Sequence, residues 1–69
     1  MVKMSILKKK EIEKLKQKPI SYLEEMITEY CWQIRGALLN NRFTDADGLL
    51  RAAKLYAWAR REKLKEMKK

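Results

Sequence analysis

Apolar residues recur at helical spacing along most of this chain. One stripe runs through the central segment and comprises Leu23, Met26, Ile27, Tyr30, Cys31, Ile34, Ala37 and Leu38. A second stripe follows with the same period and comprises Ala46, Leu49, Leu50, Ala53, Tyr56, Ala57, Leu64 and Met67. Apolar side chains that repeat every three or four residues predict amphipathic helices rather than strands. We therefore expect an all-α fold with two long helices, at about 21–40 and 45–66.

Polar residues mark the predicted ends of both helices. The segments Ser21-Tyr22-Leu23-Glu24 and Thr44-Asp45-Ala46-Asp47 have a pattern typical of N-terminal caps, in which a side-chain oxygen accepts a hydrogen bond from a backbone amide. Asn40 and Asn41 follow the first helix, and asparagine tolerates the left-handed backbone that ends a helix. The connection between the helices is short, which favours antiparallel neighbours. We expect an antiparallel helical hairpin.

The segment before the hairpin has a different character. Ile12 and Leu15 give it a narrow apolar stripe on a Lys/Glu background, and Pro19 should end any helix there. The sequence therefore predicts a basic N-terminal helical arm, residues 1–18, followed by the hairpin, residues 19–69. We expect the hairpin to complete a helical bundle by self-association, because a chain of 69 residues buries only roughly 60% of its unfolded surface.

Charge is distributed unevenly along the chain. The net charge of +8 divides into +5 for residues 1–18, −3 for residues 19–50 and +6 for residues 51–69. An antiparallel hairpin brings the start of its first helix and the end of its second to the same pole. The arm and the C-terminal segment should therefore meet there and form a positively charged pole, which attracts phosphate polymers and other polyanions.

Few residues are suited to catalysis. The chain has no histidine, no Gly-rich phosphate loop and a single cysteine, Cys31, which lies in the first apolar stripe and is expected to be buried. We expect a non-enzyme with no catalytic residues, no metal and no cofactor. No apolar run approaches the ~20 residues of a membrane span and no targeting segment is apparent, so we expect a cytoplasmic protein and disfavour a membrane partner.

A second apolar face points to an interaction surface. It comprises Trp32, Gly36 and Leu39 on the first long helix and Gly48, Ala52, Leu55 and Ala59 on the second. A lone hairpin covers one stripe on each helix, so these residues need something else to cover them. Two alternatives remain open: the arm folds back over this face, or a second copy or another protein packs on it. We expect a homo-oligomer and keep a protein partner as a possibility.

A row of basic residues around a tryptophan indicates nucleic-acid binding. Trp58 shares one side of its helix with Arg51, Lys54, Arg61 and Lys65, and the arm adds Lys8, Lys9 and Lys10. An exposed aromatic side chain can stack on bases while the cations meet phosphates; alternatively, Trp58 lies at a protein interface. The function predicted is therefore a small basic non-catalytic protein that binds DNA or RNA through its positive pole and helix face. The alternative is a dimeric protein–protein adaptor or small regulator.

Two family resemblances accompany these predictions. The spacing of four residues in the second long helix resembles that of a tetratricopeptide-type hairpin: Phe43, Ala46, Leu50 and Ala53. The size, charge and hairpin also resemble a family of small proteins of the large ribosomal subunit, with Lys10-Glu11-Ile12 and Ile34-Arg35 at similar spacing. The first resemblance implies docking of a protein partner, and the second implies contact with ribosomal RNA.

Overall fold

Three α-helices make up almost all of the chain that the structure describes. The computed structural model describes the backbone of residues 6–68 and the side chains of residues 9–68. Its elements are α1 (Ile6–Lys16), α2 (Ile20–Leu39) and α3 (Phe43–Met67), and residues 6–68 contain no strand. The predicted all-α hairpin with a short helix in front of it is confirmed.

The turn between α2 and α3 depends on two asparagines. The Asn40 amide donates to the Gly36 carbonyl at 3.1 Å, and its side-chain Nδ2 donates to the same oxygen at 2.8 Å. Asn41 has a φ of 59°, the left-handed conformation that asparagine adopts more readily than most residues. The Arg42 amide then donates to the Ala37 carbonyl at 2.8 Å. These bonds satisfy carbonyls at the end of α2, and the predicted stop is confirmed.

The predicted N-terminal caps are wrong. Helix α2 follows Pro19, which has an extended backbone (φ −60°, ψ 151°), and α3 follows Arg42. No side chain caps either helix, because Ser21 and Thr44 lie inside the first turn and not before it. Pro19 itself has the extended backbone that is typical of an N-cap residue. At the start of α3, Arg42 Nε forms an ion pair with Asp45 Oδ2 at 2.9 Å.

The core lies at the end of the molecule where all three helices meet. Ile12 of α1, Leu23 of α2 and Ala59 of α3 form a buried cluster, and Leu23 is 0% exposed. The partly buried residues that pack around this cluster are Leu15, Ile20, Leu55 and Tyr56. We call this region, centred on Ile12, Leu23 and Ala59, the core end.

The buried residues between α2 and α3 towards the turn are alanines. Ala37, Ala46 and Ala53 are buried there. Such small side chains let the two helices approach closely but cover only a narrow strip of each helix. Several residues of the predicted stripes therefore stay exposed, contrary to prediction: Cys31, Leu38, Leu50, Ala57 and Met67.

Helix α3 is the central element of the fold. It packs against both other helices, whereas α1 and α2 touch each other little. Helix α1 runs in the same direction as α3. Ile12 packs on Ala59, and Lys16, which follows Ile12 in α1, forms an ion pair with Glu66, which follows Ala59 in α3. On the other side, Arg60 Nε donates to Glu24 Oε2 of α2 at 2.8 Å.

The long central helix gives the molecule an elongated shape. Its extents are 43 × 28 × 17 Å and its radius of gyration is 13.2 Å. A compact domain of this length would have a radius of gyration of about 11 Å. No helix in residues 6–68 combines the length and apolar character required to cross a membrane.

Candidate nucleic-acid interface

The basic row on α3 is exposed along its whole length. Trp58 is 46% exposed, and the four cations that share its side of the helix are exposed as well. These are Arg51, Lys54, Arg61 and Lys65. Their spacing of three or four residues places them on one face of α3, because side chains at that spacing are neighbours on a helix surface. The structure therefore brings together all the α3 residues that the sequence assigned to nucleic-acid binding.

Helix α1 adds lysines near Trp58. Between α1 and α3 lies an open groove of about 660 Å³. Its lining residues are Lys9, Lys10, Ile12, Glu13, Lys14, Lys16, Trp58 and Glu62. The arm therefore places Lys9 and Lys10 next to Trp58, as the predicted site requires. Lys8 belongs to α1, but its side chain lies outside the described residues.

Both carboxylates that line the groove form ion pairs with lysines of the same helix. Glu13 forms an ion pair with Lys16 at 3.4 Å, and Glu62 forms one with Lys65 at 3.7 Å. A hydrogen bond to Glu66 raises the pKa of Lys16 above its ordinary value, with Glu13 adding to the effect against a smaller loss from desolvation. Lys16 and Lys65 are thus partly neutralised by neighbours within the fold.

Six other cations on α1 and α3 are not paired with a carboxylate of the described residues. Within residues 9–68, no ion pair involves Lys9, Lys10, Lys14, Arg51, Lys54 or Arg61. We call these six residues the α1–α3 surface. Their charges are exposed to solvent, so a polyanion could approach them without first displacing a carboxylate.

Lys14 and Ile12 are among the groove residues that reasoning from the sequence missed. Lys14 follows Lys10 by one helical turn and could have been found from that spacing. Ile12 is only 5% exposed and forms part of the groove lining beside Trp58. The sequence places Ile12 in the apolar stripe of the arm but does not indicate that this stripe packs beside Trp58, so that contact was apparent only from the packing.

The residues predicted for an oligomer or partner interface divide into two groups. Ala59 is fully buried and Leu55 packs on the same cluster, because α1 covers this part of α3. Ala59 is therefore not available to a second subunit, and for these two residues the covering arm is the correct alternative. Ala52 is partly buried, while Gly48 on the same row is exposed.

The other predicted interface residues lie near the turn. Trp32 is 64% exposed and Leu39 is 67% exposed, whereas Gly36 is partly buried. Gly36 and Gly48 line an open groove of about 610 Å³ between α2 and α3. A Cβ added at either glycine would meet nothing within 4 Å. Close helix packing inside the chain therefore does not explain the glycine at either position.

Cys31 is exposed, so the prediction of a buried cysteine is wrong. It lies at the edge of the α2 stripe, and the narrow alanine contact with α3 leaves that edge uncovered. Among the side chains of residues 9–68, no three His, Cys, Asp or Glu groups are close enough together to hold a metal ion.

Comparisons with known proteins identified no relative. No family model, no curated protein and no solved structure matches the chain significantly. The two resemblances noted in the sequence therefore stay predictions.

Proposed function

We propose that this chain is a small non-catalytic nucleic-acid-binding protein whose α1–α3 surface contacts the phosphate backbone. The observation that carries the proposal is the packing of α1 along α3. It sets Lys9, Lys10 and Lys14 in one groove with the exposed Trp58, whose side of α3 carries further cations. Cations from two parallel helices form a broad positive surface, and neutralising phosphates on such a surface releases counterions and drives binding.

The distribution of the acidic residues supports a directed surface and not a uniform attraction. Five of the nine acidic residues lie on α2 or at the start of α3, whereas Glu13, Glu62 and Glu66 on the α1–α3 side form ion pairs with lysines. A polyanion is repelled from α2 and the start of α3 and attracted to the α1–α3 surface. The net charge of +8 is therefore less informative than the side of the molecule on which the charge lies.

The dependence of affinity on salt tests the proposal with two charge-matched double variants. Lys10→Gln with Lys14→Gln removes two charges from the α1–α3 surface, and Arg35→Gln with Arg42→Gln removes two from α2 and the turn. We expect the first pair to lower the slope of log affinity against log salt by up to about 1.4–1.8, since each lost phosphate contact contributes roughly 0.7–0.9. The second pair should leave the slope nearly unchanged.

Two results would contradict the proposal. Equal losses of slope in both double variants would mean that the chain attracts polyanions through its net charge alone, with no defined surface. An absence of binding to single-stranded DNA, duplex DNA and structured RNA at low salt would reject nucleic-acid binding itself, because electrostatic attraction is strongest under that condition.

A second candidate function is protein binding through the end of the molecule near the turn. We call the exposed apolar residues of that region the turn end: Trp32, Leu38, Leu39, Phe43 and Leu50. Trp32 and Leu39, seven residues apart, lie on the same face of α2, and a contiguous patch of exposed apolar side chains is typical of a surface that another protein covers. Self-association there would complete the helical bundle expected from the sequence, and docking on another protein would make the chain an adaptor.

A further inference from the structure

We infer that the groove between α1 and α3 is a stacking site for an unpaired nucleobase, so that the chain prefers single strands to duplexes. The inference rests on the proposed function and narrows it to a class of ligand. Two observations support it: the exposed side chain of Trp58, and the lysines of α1 that line the same groove.

The groove offers the contacts that a nucleotide needs. A base has a flat π-face that stacks on tryptophan whatever its identity, and its phosphates need cations nearby. Trp58 supplies the aromatic ring, and Lys9, Lys10 and Lys14 supply the cations within the same groove. Its volume of about 660 Å³ falls within the range of roughly 300–1,000 Å³ that is usual for small-ligand pockets.

A duplex cannot use this groove in the same way. Its bases are stacked on each other, and an enzyme or binding protein must pay unstacking energy of a few kcal/mol to bring one out. The phosphates of a duplex can still meet the α1–α3 surface. We therefore expect duplexes to bind through charge alone, and single strands to bind through charge and stacking together.

Trp32 provides a comparison within the same chain. It is more exposed than Trp58, but the Arg35 guanidinium lies 5.8 Å from the centre of its ring. Glu25 and Glu29 precede it on the same helix by seven and three residues and would repel phosphate. Exposure alone therefore favours Trp32, whereas the surrounding charge favours Trp58.

Two single-tryptophan variants of the full chain test the inference by fluorescence. Trp32→Phe leaves Trp58 as the only tryptophan, and Trp58→Phe leaves Trp32. Each is titrated with a single-stranded oligonucleotide, with a duplex, and with inorganic polyphosphate, which carries charge but no bases. We expect the single strand to quench Trp58 strongly and Trp32 little, and we expect polyphosphate to quench neither.

Affinity measurements complete the test. Trp58→Ala should weaken single-strand binding roughly 5- to 150-fold, since stacking of one base contributes that much, while the salt slope stays nearly intact. Trp32→Ala should leave single-strand affinity within about twofold of the parent, because we expect no stacking on that ring. A circular-dichroism melt of each variant establishes that the fold is retained, and Trp58→Phe, which keeps an aromatic ring, should lose less affinity than Trp58→Ala.

The inference and the proposed function fail in different ways. Single-strand binding that survives Trp58→Ala unchanged, or quenching of Trp58 by polyphosphate equal to that by the oligonucleotide, would overturn base stacking and leave phosphate binding intact. Equal affinity for duplex and single strand would overturn the preference for unpaired bases. Failure of every nucleic acid to bind at low salt would overturn both.

Discussion

The two ends of α3 both have apolar residues at helical spacing, but their surroundings differ. At the core end, α3 has α1 on one side and α2 on another, and together they enclose Leu23 and Ala59 completely. Towards the turn end, α2 is its main neighbour, and Leu50 remains 44% exposed. The row from Gly48 to Ala59 continues through both regions at constant spacing. The burial of an apolar residue on α3 therefore depends mainly on which helix lies beside it, and less on its position in the apolar repeat.

The largest expected effect comes from shortening one leucine at each end. Leu23→Ala should lower the free energy of unfolding by about 2–5 kcal/mol, because it leaves a cavity at the junction of three helices. Leu50→Ala should cost less than about 1 kcal/mol, because nearly half of that side chain is already in water. Urea denaturation followed by circular dichroism measures both values.

One outcome of the same experiment would contradict this difference between the two ends. A cost for Leu50→Ala as large as that for Leu23→Ala would mean that the turn end is covered in solution. If Leu23→Ala does not fold at all, Leu23→Met preserves most of the volume and should still cost more than Leu50→Met.

A smaller effect of opposite sign is expected at Gly48. Because nothing lies within 4 Å of a Cβ placed there, Gly48→Ala should stabilise the chain by about 0.5–1 kcal/mol through helix propensity alone. Gly36→Ala is the corresponding change on α2 and should behave alike. Thermal denaturation gives the stability change, and sedimentation equilibrium gives the association state.

The outcome at Gly48 also bears on the turn end as an interface. If a helix of a second copy packs closely on the two glycines, either alanine should weaken association and lower stability at micromolar concentration. A stabilised variant with unchanged association would place any partner contact elsewhere on the turn end.

The smallest effects are expected at the two wrongly predicted caps. Ser21→Ala and Thr44→Ala should each change the free energy of unfolding by less than about 0.5 kcal/mol, since neither side chain makes a capping hydrogen bond. A loss near 1 kcal/mol at either position, measured by the same denaturation curves, would restore the cap that the sequence pattern indicates.

Much of the candidate site could be predicted from the sequence. The period of α3 was enough to place Arg51, Lys54 and Arg61 on the side of Trp58, because a helix has one geometry and its exposed side chains need no partner to take their positions. The position of Ile12 beside Trp58 could not be predicted in this way. It depends on the rotation and direction of α1 against α3, which local spacing does not encode.

The three helices and the turn at Asn40 and Asn41 follow from interactions between residues close together in the chain, such as backbone hydrogen bonds and the left-handed preference of asparagine. The uneven charge follows from the sequence directly. The packing of α1 over Ala59 and the position of Lys9 and Lys10 beside Trp58 are properties of the tertiary structure. The physical reason is that such contacts join residues roughly 45–50 positions apart, so they depend on how complete helix surfaces fit together and not on the spacing along either helix.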